Sequence, residues 1–184
     1  MACRPHRCSG GLPNGISLDN ILDRQVPRNR RIAEILSLCG LVERSGQGIN
    51  LMYEISIMEA KQLPDFTGTD DSFVCLSLNG LVLDKRMLSL INKIGNERLE
   101  NLTTVDFLTI DALYHERSLN ENIRGRLKHL TEMGIVEHVG RNKYVLARSL
   151  YTAVGKSGTH TRIVGLDRDT NKELLVKHLS EKGA

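Results

Sequence analysis

Between positions 122 and 129 the chain carries side chains of the types that read nucleic acids. On a helix at about 100° per residue, Ile123, Leu127, Leu130 and Gly134 gather on one side. Asn122, Gly125, Lys128 and His129 occupy the opposite side, with Arg124 and Arg126 on its two flanks. Asn can pair with an adenine edge, Arg with guanine, and Lys or Arg with phosphate. Gly125 costs about 1 kcal/mol of helix propensity there, and would let the backbone come close to a duplex. Arg141 and Lys143, at the tip of a following hairpin, extend the same chemistry to phosphate or the minor groove. Glu121 and Glu132 point the other way, since both repel phosphate, and a solvated charged helix face is the competing reading. On the DNA reading, Arg126→Ala and Lys128→Ala are expected to weaken binding while leaving the fold intact.

A second, weaker feature is Gly46-Gln47-Gly48, a glycine turn opening a helix, which can offer backbone N–H groups to an anion. An ordinary turn between helices accounts for it better. Gly155-Lys156-Ser157 resembles the end of a Walker loop, but the required earlier glycine is Leu150. The six His form no H-E-x-x-H pair, and no Ser-His-Asp or Cys-His spacing suggests a nucleophile. Cys3, His6 and Cys8 lie close together but lack a fourth ligand and a second half. No catalytic residue and no metal site is therefore expected, and the chain is read as a non-enzyme. Cys39 and Cys75 read as buried apolar residues.

The elements that must position these groups follow from periodicity. Residues 1–15 read as irregular, and Ser17 as the cap of a short helix over 18–23. A helix from Asn29 with Ile32, Ile35, Leu36 and Cys39 on one stripe closes at Gly40. Another spans about 49–60, and a strand lies within 72–78. From 84 the order is helix to Gly95, helix capped by Thr103 or Thr104, a polar break near 116–120, helix 120–133, strand, turn at 140–142, strand. Three helices and a hairpin in about 65 residues is the winged helix-turn-helix order. Residues 149–169 read as a polar connection, and a further helix opens at about 170 with Leu174, Leu175 and Leu179, the start of a truncated helical domain.

The 184 residues are 40% hydrophobic and 26% charged, ordinary for a globular protein, with 4% aromatic and no Trp. No apolar run reaches the roughly 20 residues of a membrane span, and the N-terminus is not a signal peptide. A cytoplasmic protein without a membrane partner is expected. Charge is uneven: 8 Lys/Arg against 9 Asp/Glu in 1–80, but 11 against 9 in 81–150 and 6 against 4 in 151–184. Any nucleic-acid surface belongs in the second half.

Three segments in order carry a resemblance: Gly10-Gly11-Leu12-Pro13-Asn14-Gly15-Ile16, Val26-Pro27-Arg28-Asn29-Arg30-Arg31-Ile32-Ala33, and Leu41-Val42-Glu43-Arg44-Ser45-Gly46-Gln47-Gly48-Ile49. The first half resembles the C-terminal part of bacterial AlbA-domain transcriptional regulators often described as RecG-like ATP-dependent DNA helicases, grouped with the GHKL ATPase fold. The tail, including Gly165-Leu166-Asp167-Arg168-Asp169-Thr170-Asn171, is similar to theirs as well. The resemblance implies ATP as a ligand of the full-length family, with Gly46 and Gly48 as the relic of a nucleotide-lid glycine box. The AlbA domain, the Asn- and His-containing helix and the motor motifs are not found, and Cys8-Ser9 stand where the family has Asn-Pro.

The expected fold class is α+β: a partial GHKL ATPase-like α/β segment followed by a winged helix-turn-helix. The expected organisation is a disordered tail (1–8), the C-terminal half of an ATPase-like domain (9–80), the winged domain (81–149), and a linker with a truncated domain (150–184). The functional expectation is a DNA-binding regulator fragment, with duplex DNA and a homodimeric second copy as partners and no cofactor in this chain. The alternatives are an ATP-binding, helicase-related module and a protein-interaction or dimerisation winged module.

Overall fold

The computed structural model describes residues 6–42, 46–119, 121–140 and 143–155, apart from the side chains of 96, 97 and 122. Its elements are helices with small antiparallel sheets, an α+β architecture. The chain divides into two compact units, Met1–Lys85 and Arg86–Ala184.

In the first unit, strand β1 (His6–Ser9) pairs antiparallel with β2 (Phe73–Leu76), Arg7 facing Cys75 and Ser9 facing Phe73. The expected irregular tail thus includes an ordered strand. Its signal is invisible in sequence because all four residues are exposed and none alternates with an apolar neighbour. Arg7 lies 5.2 Å from the centre of the Phe73 ring, a cation–π contact across the pair. Residues 18–23 form successive turns rather than a helix. Asn20 holds them by accepting from the Ser17 N–H and donating to the Gly15 carbonyl.

Helix α1 (Arg30–Leu38) starts where Asn29 accepts a hydrogen bond from the Ile32 N–H at 3.1 Å. Helix α2 spans Gly48–Met58. The stripe of α1 does not enter a core: no residue of α1 is buried, Ile32 and Ile35 are 53% and 60% exposed, and Cys39 is exposed too. Its periodicity marks an amphipathic helix correctly, but among the described residues the stripe is left largely open, with only Leu36 half-buried. Cys75, by contrast, is buried as expected. Among the described residues, the large hydrophobic side chains that stand exposed all belong to this unit, whose buried apolar residues are Ile21, Ile57, Ala60, Phe66 and Cys75.

The second unit has a fuller core. Helix α3 (Lys85–Ile94) contributes Leu90, Ile91 and Ile94, followed by a single turn, α4 (Asn96–Leu99). Helix α5 (Thr104–Tyr114) is buried along most of its length. The expected single helix over 120–133 is two pieces, α6 (Glu121–Arg124) and α7 (Leu127–Glu132), broken at Gly125-Arg126. The propensity penalty of Gly125 is thus met by interrupting the helix. Strands β3 (Val136–Gly140) and β4 (Lys143–Leu146) pair antiparallel with Val136 opposite Leu146, and the register shifts between His138 and Gly140. Helix α8 (Arg148–Ala153) lies where a polar connection was expected. Its Leu150 and Tyr151 are buried, a two-residue signal too short to show periodicity. Leu130, Ile135 and Leu146, all at most 1% exposed, tie α7 to the hairpin. The expected helix near 170–184 and the Gly155-Lys156-Ser157 sequence beyond Gly155 lie outside the described residues.

Candidate functional site

In the second unit, α5, the turn after it, α6, α7 and the hairpin follow one another with the candidate side chains at their outer edges. Arg124 ends α6, Lys128 lies in α7, and Lys143 opens β4; all three are exposed. His129, also in α7, is half-buried. Asn122 belongs to α6, but its side chain and the whole of Arg141 lie outside the described residues.

Arg126 departs from its expected role. It sits at the break between α6 and α7 and turns inward, donating through Nε to Asp106 Oδ1 at 2.8 Å and through a terminal nitrogen to Oδ2 at 2.7 Å. Asp106, at the third position of α5, also accepts from the N–H and the hydroxyl of the cap residue Thr103 at 2.9 and 2.7 Å. Its side chain has no exposure to solvent. Burial pushes the carboxyl up, but the bonds from Arg126 and Thr103 outweigh it and hold the group below its ordinary value. A planar guanidinium meeting a carboxylate with two parallel bonds is the strong form of this pair. Arg126 therefore fastens α7 to the start of α5, and the expectation that Arg126→Ala leaves the fold intact is corrected. The partners are 20 residues apart, and nothing in the local pattern announces them.

A second charged cluster closes the far end of α5. Asp111 accepts from Arg117 at 2.8 Å and lies 3.3 Å from His115 Nε2. Burial dominates here, and the Asp111 carboxyl stands above its ordinary value despite both neighbours. Beside this end of α5 is a cavity of about 510 Å³, walled by α5, α6, β4 and α8 residues including Leu113, Arg124, Lys143 and Tyr151. Spacing alone gave no sign of it, because its walls come from four separate segments.

In the first unit the three segments that carry the resemblance converge. Gly10 and Gly11 donate to the Ser72 and Asp71 carbonyls at 2.6 and 3.1 Å, and a Cβ on Gly11 would strike the Asp71 backbone. The Arg28 guanidinium binds the Ser9 carbonyl at 3.1 Å and the Gly11 carbonyl. Leu12 and Pro13, Val26 and Pro27, and Gly46, Gly48 and Ile49 together line a cleft of about 530 Å³. Gly46 takes a left-handed φ of +63° and packs against Gln25 so closely that a side chain would collide. Helix α2 begins at Gly48, behind Gln47, whose side chain makes no cap bond. The cleft is mostly apolar; Arg24 is its one charged lining residue among those described. The lining suits a flat apolar body. Among the described residues, Arg24 and the backbone N–H groups opening α2 are what the cleft offers an anion.

Among the described residues no group of three or more His, Cys, Asp or Glu side chains is placed to share a metal ion. No helix among them is long and apolar enough to cross a membrane.

Residues 7–78 match the family model described as the putative ATP-dependent DNA helicase recG C-terminal domain. The match takes in all three segments that carry the resemblance, strand β2 and all of β1 except His6. No curated protein and no solved structure matches the chain.

Proposed function

We propose that the second unit is a winged helix-turn-helix that contacts duplex DNA, in a chain of regulatory rather than enzymatic function. The observation that carries the reading is the order α5, turn, α6–α7, β3, β4, with Arg124, Lys128 and Lys143 exposed along it. In this architecture the last helix of the turn enters the major groove and the hairpin reaches the flanking backbone. Lys128 and Lys143 supply phosphate contacts, and Arg124 supplies either phosphate or guanine recognition. Arg126 has a structural part: it sets the angle of α7 through Asp106.

The test is to titrate fluorescein-labelled mixed duplex DNA with the whole chain and with Lys128→Ala and Lys143→Ala. Each substitution is expected to weaken binding across sequences and to lower the salt dependence by about one counterion. Unaltered affinity in both would remove the proposed contact surface and favour a protein-interaction role for the same fold.

A second reading is favoured by the family match over residues 7–78. On it, the first unit's cleft binds a nucleotide, its base resting on the apolar wall between Pro13, Val26 and Ile49. A fluorescent ATP analogue should then bind saturably, and Gly48→Leu should abolish the signal. No saturable signal would leave the cleft without a nucleotide role. The two readings concern different units and can both hold.

A further inference from the structure

We propose that the cavity at the end of α5 binds a small amphipathic organic anion, and that this ligand competes with DNA for Arg124 and Lys143. Its volume, about 510 Å³, falls within the usual range for small-molecule sites. Its inner wall is apolar: Leu113, Leu127, Val145 and Tyr151 are each at most 8% exposed and all line it. Its mouth is basic. Among the described lining residues, Arg117, Arg124 and Lys143 stand against one acidic group, Glu116. Among the described residues Arg124 forms no ion pair, so its charge awaits a partner. Arg117 is already held by Asp111 and is thereby fixed in direction. An apolar wall below two or three cations selects a ligand with a flat or branched hydrocarbon body and one carboxylate or sulfonate. A neutral analogue would bury the body but give Arg124 no counter-charge. A cation would be repelled.

The link to function rests on the DNA reading above. Arg124 and Lys143 are both lining residues of the cavity and members of the proposed DNA surface. An anion seated between them takes the charge that would otherwise meet phosphate. Ligand and DNA therefore oppose each other, and by linkage each weakens the other to the same degree.

The probe is 2-naphthoate, with neutral 2-naphthol as control, titrated into the full chain by calorimetry without DNA. Saturable binding of naphthoate at one site is expected, with naphthol at least about tenfold weaker. Arg124→Gln should weaken naphthoate about tenfold, and Leu119→Glu, which places a negative charge on the half-buried wall, should abolish binding with circular dichroism unchanged. Naphthoate and naphthol binding alike, indifference to both substitutions, or no saturable binding would overturn the pocket, whatever the chain does with DNA. The second arm repeats the DNA titration at saturating naphthoate. A several-fold loss of DNA affinity in wild type, absent in Leu119→Glu, is expected. Naphthoate binding that leaves DNA affinity unchanged, or a chain that binds naphthoate but no DNA, would overturn the competition and leave the pocket standing.

Discussion

Arg126→Met tests the claim that this residue is a structural fastener. The substitution keeps most of the aliphatic stem and deletes the guanidinium. Asp106 would stay wholly buried and retain only its two bonds from Thr103. Removing one partner of a buried pair costs about 3–5 kcal/mol. Arg126 is itself 36% exposed, which places the expected loss toward the lower end, about 2–3 kcal/mol. With a urea slope of about 1.5 kcal/mol per molar, the midpoint falls by about 1.5–2 M. The assay is urea unfolding followed by circular dichroism and by tyrosine fluorescence, which reports mainly on the second unit through Tyr114, Tyr144 and Tyr151. The pH dependence has a definite sign. Asp106 is held below its ordinary value of 3.8 when folded, so its contribution is present above that value and is lost as pH falls through the lower, folded value. In Arg126→Met, burial without the guanidinium raises the same carboxyl, so protonation relieves the variant. The gap between the two proteins should be widest near pH 7 and narrow toward pH 4. Asp106→Leu with Arg126→Met removes the stranded charge as well and should cost only about 1 kcal/mol, the worth of the lost cap. A midpoint within experimental error of wild type at pH 7, or a gap independent of pH, would refute the reasoning and return Arg126 to the surface.

Other outcomes follow from the same geometry. Asp111 is raised by burial, so ionising it opposes folding as pH climbs through the carboxylate range. Asp111→Asn should remove that slope and change stability at pH 7 by less than about 1 kcal/mol, read from urea midpoints between pH 4 and 7. Gly134 ends α7 with φ +70° and has open space around its missing Cβ. Gly134→Ala should therefore cost about 1 kcal/mol through the backbone alone, seen as a lower melting temperature. Ile35, 60% exposed on α1, should tolerate Ile35→Gln within about 0.5 kcal/mol by the same measurement.

The parts of the fold legible in sequence are those with a local signature. Asn29 before an apolar repeat fixed the start of α1, and Thr103 or Thr104 as a cap marked the start of α5. The run from Ile135 to Leu146 with its glycine-containing turn gave the hairpin. What escaped depends on partners distant in sequence. Strand β1 is defined by its bonds to residues 73–76, since His6–Ser9 has no period of its own. The burial of Arg126 depends on a carboxylate 20 residues earlier. A helical wheel drawn through Gly125 assigns Arg126 an outward position only if the helix is continuous, and the break there invalidates it. The α1 stripe shows the converse: amphipathic periodicity reports which face is apolar, but not that anything covers it. The segments 10–16, 26–33 and 41–49 were read as markers of kinship. Their physical reason is visible only in the fold, where they wall one cleft.

The most direct test of the central claim is fluorescence anisotropy of a mixed duplex titrated with this chain at low and at high salt. DNA contact through Arg124, Lys128 and Lys143 predicts binding at low salt that weakens as salt rises, with a log–log slope of about −3 for three phosphate contacts. Absence of binding at low salt, or binding indifferent to salt, would contradict it.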